Sequence, residues 1–340
     1  MSKKRKGAQR LSAAVAPPWT WVSCLGAVES ALRVLGVGCD SVGIAGLSGY
    51  AFLVNVSRRL LPGSVTAFDW KLLEEGITAA GVAVEVIAID SPEDGEDRQR
   101  LMAELFERVR EEIDSGKPCV VWGAASVPEF AVAYGYEGDG YLVRSLRSAG
   151  AARGVDAGMA LGPAEQPEPP VRFDALAAPD RLGLIAFGDR LTVDRKRMEH
   201  RALVRAAQLL DGQHACFEPG YAGGWRAFES WAEALAGGDY DTLGNSYLLR
   251  CYRELQFCAA GFCTRLEQVH HRASPSLAAA AGSFQQAANR LQALCDIFPL
   301  AESQRPPGSV MLSQAARSLE ACAANNREAV AALRDAAALC

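Results

Sequence analysis

The strongest constraint on the fold of this 340-residue chain is a change in sequence character near Asp189. Before it, short runs rich in valine, isoleucine and aromatic residues are separated by glycine-containing turns, a pattern typical of β-strands. After it, alanine, leucine, arginine, glutamine and glutamate dominate at helical spacing. The chain is therefore predicted to contain an α+β domain followed by an all-α helical domain.

The predicted boundaries follow from composition. A disordered basic tail covers 1–18, the first domain covers 19–190, and the helical domain covers 191–340. Within the first domain, 148–170 is rich in glycine, alanine and proline and is predicted to be a loose connection.

Hydrophobic periodicity places the individual elements. The predicted strands are 82–89, 118–122, 130–136, 141–146 and 182–187. The predicted helices are 24–36, 69–81, a segment ending at Gly116, and then 194–210, 224–236, 241–272, 276–297 and 310–338. The small residues of 46–52 are predicted to form a turn that leads into an apolar segment.

Composition narrows the class of protein. With 49% hydrophobic and 22% charged residues, the chain can bury a core. A net charge of −5 argues against a basic nucleic-acid surface over the whole chain. The sequence contains no run of about 18 apolar residues, so no membrane-spanning helix is predicted. The apolar stretch 11–16 is too short for an export signal, so cytoplasmic residence with reduced thiols is expected.

Neither a metal nor a cofactor is predicted. Cys251, Cys258, Cys263 and His270 form the one tempting metal set. On a helix, however, residues seven apart lie about 10 Å from each other along the axis, too far for one ion. These cysteines are therefore interpreted as small buried residues. The chain has no Gly-x-Gly-x-x-Gly fingerprint and no phosphate-binding loop, so nucleotide cofactors are not indicated.

Cys24 is the first candidate for chemistry. It lies at the predicted start of a helix, where unpaired N–H groups and the positive end of the helix dipole stabilise a thiolate. A nucleophilic cysteine also needs a base that accepts the thiol proton. Position alone does not distinguish this role from that of a structural cysteine.

Three motifs in residues 21–146 carry a family resemblance. Cys24 leads the helix 25–36 and is followed by Gly-Leu-Ser-Gly-Tyr-Ala-Phe at 46–52. Gly-Lys-Pro-Cys-Val-Val-Trp-Gly follows at 116–123, and Pro-Glu-Phe-Ala-Val-Ala-Tyr-Gly-Tyr-Glu at 128–137. This segment resembles the N-terminal domain of the butirosin-biosynthesis protein H family, and is more distantly similar to the papain-like, bacteriocin-processing double-glycine peptidases. The helical half, with Gly-Tyr at 220–221 and Ala-Phe-Glu-Ser-Trp at 227–231, resembles the tail of many relatives.

The resemblance implies a papain-like first domain with Cys24 at the position of the nucleophile. In the peptidase and acyltransferase relatives, a histidine opens the active-site strand and activates the cysteine. Here that position is Glu129, or Phe130 if the register slips by one, and no histidine precedes His200. Arg144 or Ser145 stands where the relatives carry the residue that orients the base. Only Thr20 and Ser23 are candidates for the oxyanion hole.

Other residues complete the set of candidates. Trp21, Ser48, Tyr50 and Trp122 are predicted to line a ligand cleft, with core packing as the alternative. His214, in the predicted loop 211–220, is a second candidate base, with an ordinary loop histidine as the alternative. The basic residues near the start of the helical half could meet a phosphate or an acidic carrier protein, or form a solvated helix face; they are Arg190, Arg195, Lys196, Arg197 and Arg201.

Two functional hypotheses follow. In the first, the papain-like domain has a degraded catalytic site and binds a peptide, an amino-acid-like ligand or a carrier-tethered intermediate, as in bacterial secondary metabolism. In the second, Cys24 forms a thioester in a cysteine-dependent acyltransferase or peptidase. The missing histidine favours the first, because general-base catalysis contributes about 10²–10⁴ in rate and a carboxylate beside a thiol raises the thiol pKa. A third hypothesis makes the helical half a docking surface for an acyl carrier protein or another partner.

Overall fold

A computed structural model describes residues 7–12, 17–90, 95–146, 169–300 and 307–340. The fold is α+β, as predicted, with an antiparallel sheet and a helical region. No helix among these residues is long and apolar enough to cross a membrane. Most of the predicted connection 148–170 lies outside the described residues.

Nine strands are present in the described residues. They are β1 (Ala8–Arg10), β2 (Asn55–Ser57), β3 (Val82–Asp90), β4 (Cys119–Trp122), β5 (Phe130–Glu137), β6 (Gly140–Arg144), β7 (Val171–Arg172), β8 (Arg181–Arg190) and β9 (Tyr221–Gly223).

Nine α-helices are present in the same residues. They are α1 (Ser23–Val34), α2 (Ser41–Ser48), α3 (Lys71–Thr78), α4 (Gly95–Asp114), α5 (Arg195–Leu210), α6 (Arg226–Gly237), α7 (Thr242–Glu267), α8 (Ser274–Ile297) and α9 (Ser309–Leu339).

The chain divides into two compact units. Among the described residues, the first unit contains those up to 41, 81–146 and 169–191, and the second contains 42–80 and those from 192 onward. Sequence analysis predicted that all of 19–190 form one domain. The structure differs from this prediction at 42–80, which belong to the second unit and pack with helices from the far end of the chain.

The first unit is built on an antiparallel sheet with the order β3–β8–β4–β5–β6–β7. β4 pairs with residues 130–133 of β5, and β1 pairs with 135–137. The prediction of a disordered tail is therefore wrong for residues 8–10, because they form a strand that is hydrogen-bonded to the edge of β5. Helices α1 and α4 pack against this sheet. Helix α4, the predicted segment ending at Gly116, buries an apolar stripe that includes Leu105, Val109 and Ile113.

The second unit is a helical assembly that also holds α2, α3 and the β2–β9 pair. Helices α7 and α8 pack against each other as a hairpin: Leu255 and Leu291 are both buried, and Arg250 of α7 donates to the Phe298 and Cys295 carbonyls at 3.1 and 3.4 Å. Helix α7 ends at Glu267, five residues before the predicted end, and a turn connects it to α8.

The turn predicted at 46–52 is wrong for 46–48, which belong to helix α2. The small residues of this segment suggested a turn, but they allow two helices to cross at close distance. A Cβ atom at Gly76 of α3 would lie 1.9 Å from the Ser48 Cα. The chain turns only after α2, at Gly49, whose φ is +84°. Glycine tolerates this left-handed conformation without steric cost.

Candidate functional site

The candidate site is the N-terminal end of α1, where Thr20 organises the backbone. Its Oγ1 donates to the Val22 carbonyl at 3.0 Å and accepts from the Gly26 N–H at 3.2 Å. Gly26 is close to the segment that precedes the helix, since a Cβ there would lie 2.7 Å from the Pro18 carbonyl oxygen. The Thr20 hydroxyl therefore satisfies one of the N–H groups left unpaired at the start of the helix.

Ser23 connects α1 to the sheet. Its Oγ accepts a 3.0 Å hydrogen bond from the backbone N–H of Phe130, the first residue of β5. Ser23 and Phe130 are both buried. The first residues of α1 and β5 are thus in contact. The hydroxyls of Thr20 and Ser23, the two candidates for an oxyanion hole, both bond to backbone groups.

Cys24 is buried in the first turn of α1. Only 1% of the residue is exposed. Burial raises the pKa of the Cys24 thiol to about 12, because an apolar environment disfavours the thiolate. The helix dipole favours a thiolate at this position, but the loss of hydration on burial outweighs it and raises the pKa of the thiol. A thiol of this pKa is protonated at neutral pH and is a poor nucleophile.

Glu129 lies immediately before β5, at the end of the loop that leaves β4. Its carbonyl accepts from the Gly123 N–H at 2.9 Å, which closes the loop at its base. Glu129 is half-buried, and Phe130, the alternative register position, is 2% exposed. The two positions at which the resemblance implies a histidine therefore carry a glutamate and a buried phenylalanine. A phenyl ring has no basic group, and a carboxylate is a weaker base than imidazole toward a thiol.

Arg144 and Ser145 were the candidates for the residue that orients the base. Arg144 pairs with Val132 across β5 and β6, and its guanidinium lies 5.0 Å from the centre of the Tyr134 ring. Ser145 is buried at the end of β6. The Arg144 side chain is thus held by a cation–π contact with a tyrosine.

The predicted ligand-binding residues divide between the two units. Trp21 and Trp122 belong to the first unit, where Trp21 packs edge-on against Trp19 with ring centres 5.6 Å apart and Trp122 lies 4.8 Å from Phe130. Ser48 and Tyr50 belong to the second unit and are buried.

Ser48 and Tyr50 use their hydroxyl groups internally. Ser48 Oγ donates to the Ile44 carbonyl at 2.7 Å, and the Tyr50 hydroxyl donates to the Val65 carbonyl at 2.9 Å. The structure gives these two residues packing and backbone roles, which leaves Trp21 and Trp122 as the aromatic candidates at the α1 end.

His214, the second candidate base, lies in the second unit and contacts its own loop. Its Nδ1 accepts from the backbone N–H of Cys216 at 3.2 Å. Burial lowers the pKa of His214, and the nearby Arg205 guanidinium adds to the decrease. In the neutral ring with Nδ1 as acceptor, the proton is on Nε2, so neither nitrogen is available as a base.

The remaining charged candidates have structural partners. Glu29, which also lies on α1, accepts from the N–H and the hydroxyl of Ser41 at 2.7 and 2.6 Å and thus has a structural role. In the basic cluster, Arg195 pairs with Glu199 at 2.8 Å and Arg201 pairs with Glu75. All five basic residues are exposed.

The cysteines of α7 are buried. Cys251, Cys258 and Cys263 are each at most 4% exposed, and burial raises the pKa of Cys263 to about 12. His270, the fourth member of the rejected metal set, instead contacts Glu199 through Nε2 at 2.8 Å. In the part of the chain that the structure describes, no group of three or more histidine, cysteine or acidic side chains is arranged to hold a metal ion.

Sequence analysis missed the role of Ser23. The signal was present as a hydroxyl residue directly before Cys24, but its partner lies more than a hundred residues away. Comparison of the chain with protein-family models gave no match. Comparison with curated proteins gave no match either.

Proposed function

We propose that this protein is a papain-like binding protein with a degraded catalytic site, related to the butirosin-biosynthesis protein H family. Its ligand carries an acyl group, joined either through a thioester to a carrier arm or through an amide in a peptide or amino-acid derivative. The protein holds this group at the α1 end of the first unit and does not transfer it. We place this activity in the cytoplasm, where thiols stay reduced.

The burial of Cys24 carries the proposal. A nucleophile must reach the substrate carbonyl and must be deprotonated when it attacks. With 1% exposure, Cys24 meets no substrate, and its pKa of about 12 keeps the thiolate scarce. Glu129 in place of the family's histidine supports the same conclusion, because no imidazole is supplied at the start of β5.

Aromatic side chains support the binding role. Trp21 is half-buried and Trp122 is 8% exposed, so both rings combine packing with partial access from solvent. Aromatic faces bury a large area and suit the apolar part of an acyl group. The neighbouring Thr20 and Ser23 hydroxyls are already used by the backbone, so recognition rests on shape and apolar contact.

The test uses two small probes on the full chain. S-acetyl-N-acetylcysteamine represents the carrier-tethered thioester, and N-acetylglycinamide represents the amide. Binding is followed by tryptophan fluorescence, and turnover by release of free thiol from the thioester. We expect saturable quenching by at least one probe and no thiol release above that of Cys24→Ala. The probe that binds identifies the source of the acyl group.

Matched variants separate the outcomes. Trp21→Ala should abolish the quenching, whereas Cys24→Ala and Trp225→Phe, a tryptophan of the second unit, should retain it. In iodoacetamide labelling at pH 6, Cys24 should stay unmodified. Thiol release or labelling that depends on Cys24 would overturn the proposal and support the acyltransferase or peptidase hypothesis. Absence of saturable quenching by both probes would overturn the binding role.

A further inference from the structure

A buried amide pair connects two long helices of the second unit. Gln256 of α7 and Asn326 of α9 are both fully buried. Asn326 Nδ2 donates to Gln256 Oε1 at 3.0 Å and to the carbonyl of Cys322, one turn earlier on α9, at 2.9 Å. The pair is thus held by one direct side-chain hydrogen bond.

The orientation of the Asn326 amide is fixed by its neighbours. Turning the Asn326 amide by 180° would place Oδ1 against the Cys322 carbonyl, and both atoms are acceptors. With Asn326 Nδ2 held in this way, Gln256 presents Oε1 to it as the acceptor. The hydrogen-bond pattern therefore determines which amide atoms of the pair are left without a partner.

Two polar atoms of the pair remain without a partner. Among the described residues, Gln256 Nε2 has no acceptor and Asn326 Oδ1 has no donor, although both atoms are buried. Buried polar atoms in folded proteins are nearly always hydrogen-bonded, because an unsatisfied amide group is costly in an apolar interior. One atom of the pair donates and the other accepts, so one molecule able to do both would satisfy them together.

We infer that Gln256 and Asn326 form a binding site for one buried water molecule. The water accepts from Gln256 Nε2 and donates to Asn326 Oδ1. The two amides are neutral, which favours a neutral ligand over an ion. Internal waters are held in this way, by two to four polar groups of a buried site. The bridge adds a second connection between α7 and α9 beside the direct hydrogen bond.

Asn325 provides a matched control on the same helix. This neighbour of Asn326 pairs at 3.4 Å with Arg290 and Gln286 of α8, so its partners lie outside the proposed site. Asn325→Leu changes the same residue type at the adjacent position. It should therefore leave the water in place.

The first test is a high-resolution crystal structure of the full chain. We expect an ordered water about 2.7–3.2 Å from both Gln256 Nε2 and Asn326 Oδ1. Magnetic relaxation dispersion in solution should detect one long-lived water fewer in the double variant Gln256→Met/Asn326→Leu than in the parent or in Asn325→Leu. A direct second hydrogen bond between the amides, or equal water counts in the double variant and the parent, would overturn the inference.

Unfolding equilibria give a second test. Each single substitution leaves one polar atom unsatisfied and should raise the unfolding constant roughly 10- to 100-fold. The double variant removes both amides, so its effect should be clearly smaller than the product of the two single effects. Independent, multiplicative effects would show that the two side chains do not share a ligand.

Discussion

The backbone N–H of Phe130 donates a 3.0 Å hydrogen bond to Ser23 Oγ, although the two residues are 107 positions apart in the sequence. This bond fixes the first turn of α1 against the first residue of β5. The contact between these two elements is thus made by a serine hydroxyl and a backbone amide.

Ser23→Ala should destabilise the first unit. The substitution leaves the Phe130 N–H buried without its acceptor, at a cost of about 1–3 kcal/mol. Urea denaturation measures the change in the free energy of unfolding. Ser115→Ala is the control, since Ser115 Oγ bonds the Glu111 carbonyl at an exposed position. Equal effects of both substitutions would contradict a special role for Ser23.

Cys24 should make stability depend on alkaline pH. Its folded pKa, about 12, lies above the ordinary thiol value. The native thiol therefore stays protonated where the unfolded one ionises. The stabilising contribution is complete below about pH 8.5 and is lost as the pH rises toward the folded value. Between these limits, the free energy of unfolding should fall more steeply in the parent than in Cys24→Ala, by about 1.4 kcal/mol per pH unit. Parallel pH profiles would contradict the burial of this thiol.

The α7–α8 hairpin should not tolerate charge at its centre. Leu255→Asp and Leu291→Asp each place an unpaired carboxylate in a fully buried position. We expect each to destabilise the protein by about 4 kcal/mol or more. Phe257→Asp is the control, because Phe257 lies on α7 with 57% of its surface exposed. Thermal melting compares the two leucine variants with this control. An unchanged melting temperature for either leucine variant would contradict the burial of that leucine between α7 and α8.

Two glycines on helices should respond in opposite directions to alanine. At Gly76, an added Cβ would collide with the Ser48 backbone at 1.9 Å, so α2 and α3 must separate. At Gly282 of α8, nothing lies within 4 Å of the added atom. We therefore expect Gly76→Ala to lower the free energy of unfolding strongly, and Gly282→Ala to raise it by up to about 1 kcal/mol. Chemical denaturation of both variants tests the sign of each effect.

The elements that sequence predicted correctly are those with local signals. The stripe of Leu105, Val109 and Ile113 identified α4, and the β-branched run that begins at Val82 identified β3. Helix α2 was missed because its small residues weaken the helical signal, and its packing depends on Gly76, outside the helix. The assignment of 42–80 to the second unit was likewise out of reach, because their partners are distant in sequence.

Only the secondary-structure positions of the candidate residues could be predicted. Sequence placed Cys24 at the start of a helix and a strand start at Phe130, and in the structure Cys24 lies in the first turn of α1 and Glu129 just before β5. Helix-start position favoured a thiolate at Cys24, whereas burial in the folded unit raises its pKa. Desolvation depends on all the side chains packed around a group, so it could not be predicted from local sequence.

The central place of β8 also affects how the protein emerges from the ribosome. β3 and β4 never pair with each other, since β8 lies between them and pairs with both. The nascent chain therefore has to keep two unpaired strand edges until residues 181–190 have been synthesised. Such edges associate readily with other chains, so the interval between the synthesis of β4 and that of β8 is when the growing polypeptide is most exposed to aggregation and has most need of a chaperone.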